Sequence, residues 1–246
     1  MNERPVVLVT GAARRVGAAI ARQLHARGCD IALHYRGQRD AAETLMTAFN
    51  DQRPGSAAVF GADLLDIAAA QAMVDAVGAR FGRLDGLVNN ASSFFPTPFA
   101  EVDEAAWQDL VGSNLKAPLF VSQRAAPLLA AQRGAIVNIV DIHAERPMPG
   151  YPVYSLAKTG LQGLTRVLAV ELAPAVRVNG VAPGAIEWPE DGQFDTEERA
   201  RIVRQTLLGR VGAASDIAGA VAFLLLDAPY VTGQILAVDG GRSIHL

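Results

Sequence analysis

The stretch "PVVLVTGAARRVGAAIA", Pro5 to Ala21, decides the fold. Its first part is a short β-branched run, the composition of a buried strand, and its last part is small and apolar with helical spacing. Between them lies a turn in which only Gly11 and Gly17 are glycine. A strand that passes through such a turn into a helix aims backbone N–H groups and a helix N-terminus at one point, an arrangement suited to phosphate. The same letters also read as an ordinary helix start, so position carries more weight than the motif.

Working outward, the alternation continues along the chain. Strand-like "DIALHY", "AAVFGA", "LDGLVNNA", "GAIVNIVD", "VRVNGVAP" and "QILAVDG" are separated by helical segments at 39–50, 66–81, 104–131, 153–173 and 215–226. Strands this apolar are covered on both faces, which predicts an α/β, Rossmann-like, doubly wound parallel sheet of about seven strands with helices on either side. Ligands in such sheets sit beyond the carboxyl ends of the strands. Residues 185–211 break the rhythm: the segment follows a Pro-Gly pair, is rich in charge, and reads as a variable substrate flap containing Trp188.

At 246 residues, half of them hydrophobic, the chain suits one domain spanning 1–246. A net charge of −3 with both signs scattered gives no basic face for nucleic acid and no polybasic strip for anionic lipid, leaving small-molecule chemistry. Cys29 is the single cysteine, which excludes an intrachain disulfide and a cysteine zinc site, and His25, His34, His143 and His245 lack ligand spacing, so no metal is expected. The most apolar run, "AGAVAFLLL" (Ala218 to Leu226), is far short of the ~20 residues of a membrane span. The amino terminus enters a strand at once, with no apolar leader, and a cytoplasmic protein is expected.

At the end of the second strand, where a carboxylate would meet an unphosphorylated ribose, no acid occupies 34–38. Arg36 and Arg39 offer guanidinium forks suited to a phosphate, with His34 a further donor, and the expected cofactor is NADP(H). Read alone, these are equally solvated residues at a strand end. Asp63 has the position to accept from an adenine amine, and Asn89 to Ser92 to pack against a ribose; both also read as turn or cap residues.

In "NIVDIHAERPMPGYPVYSLAK", Asn138 to Lys158, Tyr154 and Lys158 stand one helical turn apart. A phenol with an ordinary pKa near ~10 needs a neighbouring cation to act in proton transfer at neutral pH, and Lys158 supplies one. The spacing is common by chance and gains meaning from its company.

That company resembles the short-chain dehydrogenase/reductase family over nearly the full length: "TGAARRVG", "ADL" (Ala62 to Leu64), "NNA" (Asn89 to Ala91), Asn114 in "SNL", Tyr154 with Lys158, "RVNGVAPG" and "VDGG". The resemblance implies hydride transfer from a nicotinamide, a Tyr–Lys pair assisted by Asn114, and a homotetramer. It also implies a cofactor site made by Gly11, Arg15, Val16, His34, Tyr35 and Arg36. Asp63, Leu64, Asn90, Ala91, Ser92, Tyr154, Lys158, Pro183 and Gly184 complete that site.

Three departures from the common pattern match one branch. Arg15 replaces a turn glycine, "NNASSFFPTP" replaces Asn-Asn-Ala-Gly, and Asp141 replaces the catalytic serine. They resemble the pteridine reductases, which reduce dihydropterin, dihydrofolate and, in some members, oxidised pterin or folate with NADPH. A pterin is flat and polar, so Phe94 would stack on it, Ser92 would hydrogen-bond the ring, and a carboxyl at Asp141 can accept or donate. By the resemblance Arg15 reaches the ring oxygen and Tyr151 stands at the pocket wall, which makes Arg15, Ser92, Phe94, Asp141, Tyr151 and Tyr154 the substrate set. Asp141, Tyr154, Lys158 and Asn114 form the catalytic set. Phe94 also reads as a core aromatic and Asp141 as a helix cap. Two rival functions remain: a ketone or acyl-carrier ketoreductase, which wants a hydroxyl where Asp141 stands, and a non-catalytic NADP(H)-binding sensor.

Overall fold

The computed structural model describes residues 4–188 and 194–245. Seven parallel strands form one sheet in the order β3-β2-β1-β4-β5-β6-β7. They are β1 (Val6–Val9), β2 (Asp30–Tyr35), β3 (Ala57–Gly61), β4 (Gly86–Asn89), β5 (Ala135–Ile139), β6 (Arg177–Pro183) and β7 (Ile235–Val238). The central strands β1, β4 and β5 are buried at every position, the expected result of helices covering both faces.

One face carries α1 (Arg15–Ala26), α2 (Arg39–Gln52) and α8 (Ala214–Ala222); Ile20, Leu24, Leu45 and Ile217 join Val7, Val9 and Val137 in its core. The other carries α3 (Ile67–Phe81), α5 (Ala117–Gln132) and α6 (Pro152–Glu171), with Val74, Val121 and Leu168 packed on Leu8, Leu87 and Ile136. Sequence and geometry agree at the helix ends: Asp66 accepts from Ala69 N–H to start α3, and Gly82, at φ 73°, ends it in the left-handed region where glycine costs least.

The long helical segment expected at 104–131 is two helices, α4 (Glu104–Val111) and α5, joined by a π-turn over Gly112–Lys116. The apolar segment ending at Leu226 likewise passes from α8 into a π-turn at Phe223–Asp227. A π-turn takes an extra residue into one turn while the segment remains helical and apolar, so composition alone does not reveal it. The 185–211 segment holds α7 (Thr196–Arg204), and an isolated bridge joins Ile186 to Gly212. Its residues 189–193 lie outside those described. The short α9 (Arg242–His245) closes the chain.

The chain crosses over between β1 and β4, the switch point at which helices pass to opposite faces and a crevice opens beyond the strand ends. Buried amides tie the crevice to the core. Asn89 Nδ2 donates to Asn138 Oδ1 at 2.8 Å and to Ser122 Oγ at 3.1 Å, and Asn138 Nδ2 donates to Thr165 Oγ1 at 2.9 Å. The ends of β4 and β5 are thereby fixed to α5 and α6.

Candidate active site

A cavity of about 650 Å³ opens at that crevice. It runs from the β1–α1 turn past the ends of β4, β5 and β6 to α7 and α9, lined among others by Arg36, Asn90, Phe94, Asp141, Tyr154 and Arg242.

At the first end, close packing makes the turn. A side chain at Gly17 would run into the Gly11 carbonyl, and one at Gly11, at φ 64°, would meet the Ala91 backbone. Thr10 Oγ1 accepts from Asn90 N–H at 2.9 Å and Ala91 N–H at 3.0 Å, and Asn90 Nδ2 donates to Thr10 O at 2.9 Å. Arg15 holds the left-handed region at φ 49°, one reason glycine is the usual occupant there, and its Nη2 donates to Glu187 O at 3.1 Å. The turn is thus fastened to the 185–211 segment.

His34 lines the cavity, but the structure corrects its expected part as a donor to phosphate. The ring is buried; Nδ1 accepts from Gly11 N–H at 3.0 Å and Nε2 donates to Ala62 O at 3.1 Å. Both nitrogens are spent holding the turn between β2 and β3, so none remains to donate to a phosphate. Burial also pushes its pKa down, which keeps it neutral in that role. Arg39 is likewise drawn away, pairing with Glu43 at 2.7 Å along α2. Arg36 remains exposed in the cavity wall with no hydrogen bond or ion pair among the described residues. Tyr35 lies outside the lining, its phenol over Gly61. Asp63 lines the cavity while its Oδ1 accepts from Leu65 N–H at 3.0 Å, so it serves the local turn with one oxygen and leaves the other open. Val16, Leu64, Ser92, Pro183 and Gly184 all line the cavity.

At the far end, β5 delivers Asp141 and α6 delivers Tyr154 and Lys158. Asp141 meets both demands placed on it: Oδ1 accepts from His143 N–H at 2.8 Å, capping a 3₁₀ turn, and Oδ2 accepts from Tyr154 OH at 2.8 Å. Lys158 Nζ donates to Ile139 O at 2.8 Å and lies 5.7 Å from the centre of the Tyr154 ring. Burial, with the Asp141 carboxylate beside it, pushes the Tyr154 phenol well above its usual range, so the group is a protonated donor at neutral pH. Burial lowers Lys158 to about 8, with Asp141 pulling the other way. The cation therefore sits close to its own titration, and Asp141 helps to retain its charge.

Asn114 falls in the π-turn, where its Nδ2 donates to Ser93 O and Leu110 O, each at 2.9 Å, while its buried Oδ1 has no partner among the described residues. Phe94 stacks on Tyr151 at 4.8 Å and 9°, and meets the Tyr154 ring edge-on at 4.8 Å. Tyr151 thus stands behind Phe94 and not in the cavity wall, which corrects its expected placement. An aromatic already backed by a second ring presents a rigid face to whatever enters.

Matching by family model covers residues 11–243 with the model described as enoyl-(acyl carrier protein) reductase. The chain belongs to the short-chain dehydrogenase/reductase family. Among relatives, pteridine reductase 1 of Leishmania tarentolae is 41% identical, covering 98% of this chain and 96% of its own. The 3-oxoacyl-(acyl-carrier-protein) reductase FabG of Staphylococcus aureus is 37% identical over 95% and 96%, and 3beta-hydroxysteroid dehydrogenase 1 of Eggerthella lenta is 35% identical over 97% and 94%. As a short-chain dehydrogenase/reductase, the chain is a member of an oxidoreductase family. No described helix is long and apolar enough to cross a membrane.

Sequence reasoning missed Arg242, Met148 and Ile202, which line this oxidoreductase cavity from segments with no recognisable motif. Only Arg242 left a trace, as a charged residue directly after the "VDGG" turn.

Proposed function

We propose that the protein is an NADPH-dependent pteridine reductase that takes dihydropterin or dihydrofolate to the tetrahydro form. The observation that carries this reading is the 2.8 Å hydrogen bond from Tyr154 OH to Asp141 Oδ2. A ketone reductase needs a hydroxyl there to donate to a carbonyl oxygen, whereas a carboxylate paired to a phenol suits delivery of a proton to a ring nitrogen. The likeness to a pteridine reductase over almost the whole chain supports it.

The residues fit NADP(H). The N-terminus of α1 and the Gly11 turn would hold the pyrophosphate, Arg36 the 2′-phosphate, Asp63 the adenine, Lys158 the nicotinamide ribose, and Pro183 and Gly184 the nicotinamide amide. When bound, this cofactor supplies the hydride. Phe94 offers a stacking face for the pterin, worth ~0.5–1.5 kcal/mol beyond area burial, and Ser92 and Arg15 bring donors to the ring. For an oxidised pterin, Tyr154 gives its proton to the ring nitrogen beside the reduced carbon, with Asp141 Oδ2 holding the phenol in place through the 2.8 Å bond and the proton restored to Tyr154 from solvent. Lys158 offsets charge on the phenol, and the open Oδ1 of Asn114 receives a water feeding the relay. For a 7,8-dihydropterin the reacting nitrogen faces elsewhere and takes its proton from solvent. A homotetramer in the cytoplasm is part of the same proposal.

Acyl-ketone reduction is the second reading, favoured by the likeness to the staphylococcal FabG. Purified protein, followed by NADPH oxidation against dihydrobiopterin, dihydromonapterin, dihydrofolate, folate and one acyl ketone, separates the two. Turnover confined to pterins is the expected result; turnover of the ketone alone would overturn the assignment.

A further inference from the structure

Arg242 is 8% exposed, yet it stands in the cavity wall with its Nε buried and without a hydrogen-bond partner among the described residues. Three charged groups surround it from separate elements: Asp141 beyond β5 and Asp239 beyond β7 attract it, and Arg201 of α7 repels it. Neither carboxylate is engaged with the guanidinium. Asp141 gives its oxygens to His143 N–H and Tyr154 OH, while Asp239 gives Oδ1 to Gly241 N–H at 2.9 Å and Oδ2 to Ser243 N–H at 2.7 Å. Arg242 makes no ion pair among the described residues. A planar fork of donors, desolvated and compensated only at a distance, is matched best by an anionic oxygen pair arriving with a ligand.

The position says which part of a ligand this is. Arg242 lines the same cavity as the Asp141–Tyr154 corner, where the ring would react, and Ile202 of α7, and it is within electrostatic reach of both Asp141 and Arg201 of that helix, on the side where a substituent of the ring would extend. We propose that Arg242 is a specificity residue that takes a carboxylate carried by the substrate beyond its reduced ring. Resting on the pteridine reading, this selects pteroylglutamates such as dihydrofolate over pterins with neutral hydroxylated tails, which offer only uncharged acceptors to a buried cation.

The test compares wild type, Arg242→Gln and Arg242→Lys, all loaded with NADP(H). The ratio of kcat/KM for dihydrofolate to that for dihydrobiopterin should fall at least ~10-fold in Arg242→Gln, the loss of one charge-assisted contact. Arg242→Lys, which keeps the charge without the fork, should lie between. Binding of p-aminobenzoylglutamate, which bears the carboxylates without a pterin ring, is measured by calorimetry alongside. It should be lost in Arg242→Gln, and this arm decides the inference even if wild type reduces no pterin, an outcome that would overturn the pteridine reading alone. Thermal melting of the ligand-free enzyme guards against a structural role, because removing an unpaired buried cation should leave Tm unchanged or raised. An unchanged ratio, equal losses on both substrates with a depressed Tm, or undiminished p-aminobenzoylglutamate binding by Arg242→Gln would each overturn the proposal.

Discussion

The two ends of the cavity handle polar groups in opposite ways. Around the β1–α1 turn the side chains spend their polar groups on the backbone: His34 holds Gly11 and Ala62, and Thr10 and Asn90 hold each other. Around the Asp141–Tyr154 end of the cavity, groups are left open or brought near titration: among the described residues, Oδ1 of Asn114 and Nε of Arg242 have no partner, and the buried Lys158 sits at about 8. A buried unsatisfied polar atom costs roughly 1–3 kcal/mol, which a protein tolerates where a ligand or reacting group completes the set. The contrast teaches that the first end is built for shape, with its glycines packed on backbone, and the second for exchange of protons and charge.

The sharpest way to break this comparison is Tyr154→Phe. It should lower kcat for oxidised pterin by ~10²–10⁴-fold, as for a lost general acid, while the NADPH dissociation constant stays within about 3-fold, because the turn at the other end is untouched. Steady-state kinetics and fluorescence titration check it; a wild-type rate would remove Tyr154 from proton transfer.

Arg36 is the exception at the closed end, a guanidinium with no partner among the described residues. Arg36→Asp should weaken NADPH binding ~10–100-fold relative to NADH, the scale of a charge-assisted hydrogen bond. His34→Ala, in contrast, should lower thermal stability without altering NADPH-over-NADH preference, since His34 is engaged with backbone alone. Equal shifts in preference from both would erase the distinction between the two residues.

The smallest effect concerns pH. Lys158 is protonated in the folded chain only up to about 8, so kcat/KM should decline as pH rises through that value and the phenol loses its neighbouring cation. Asp141 favours the charged lysine, so Asp141→Asn should move this limb to lower pH. The linkage to stability has the opposite sense. Between about 8 and the ordinary lysine value near ~10.4, the unfolded chain binds the proton that the folded chain has released, and Lys158 alone makes stability rise with pH. A basic limb that does not move in Asp141→Asn would separate the two groups.

Most of the frame was legible in the sequence for a physical reason. Strand periodicity and apolar continuity are local, and β2 runs over the same residues, Asp30 to Tyr35, as its sequence pattern. The alternation of strands and helices implies a parallel sheet covered on both faces, while the strand order with its crossover between β1 and β4 came only from the fold. Tyr154 and Lys158 were legible as a pair because one helix carries both, and their spacing on it fixes their common face.

What the tertiary structure alone decided are the fates of groups that look alike in the chain. His34, Arg36 and Arg39 stand within one short segment as three basic residues, yet one is locked under the turn, one faces the cavity and one pairs along its helix. Tyr151 and Phe94 are distant in sequence and become a stack. Asp141 reads as a cap or as a reacting group, and folding makes it both, because its two oxygens point to partners on different elements. Arg242 is one charge after a glycine pair until α9 turns it inward. Sequence determines backbone periodicity, which depends on near neighbours. Which hydrogen bonds are spent inside the protein, and which are kept for a ligand, depends on partners brought together only by the closed fold.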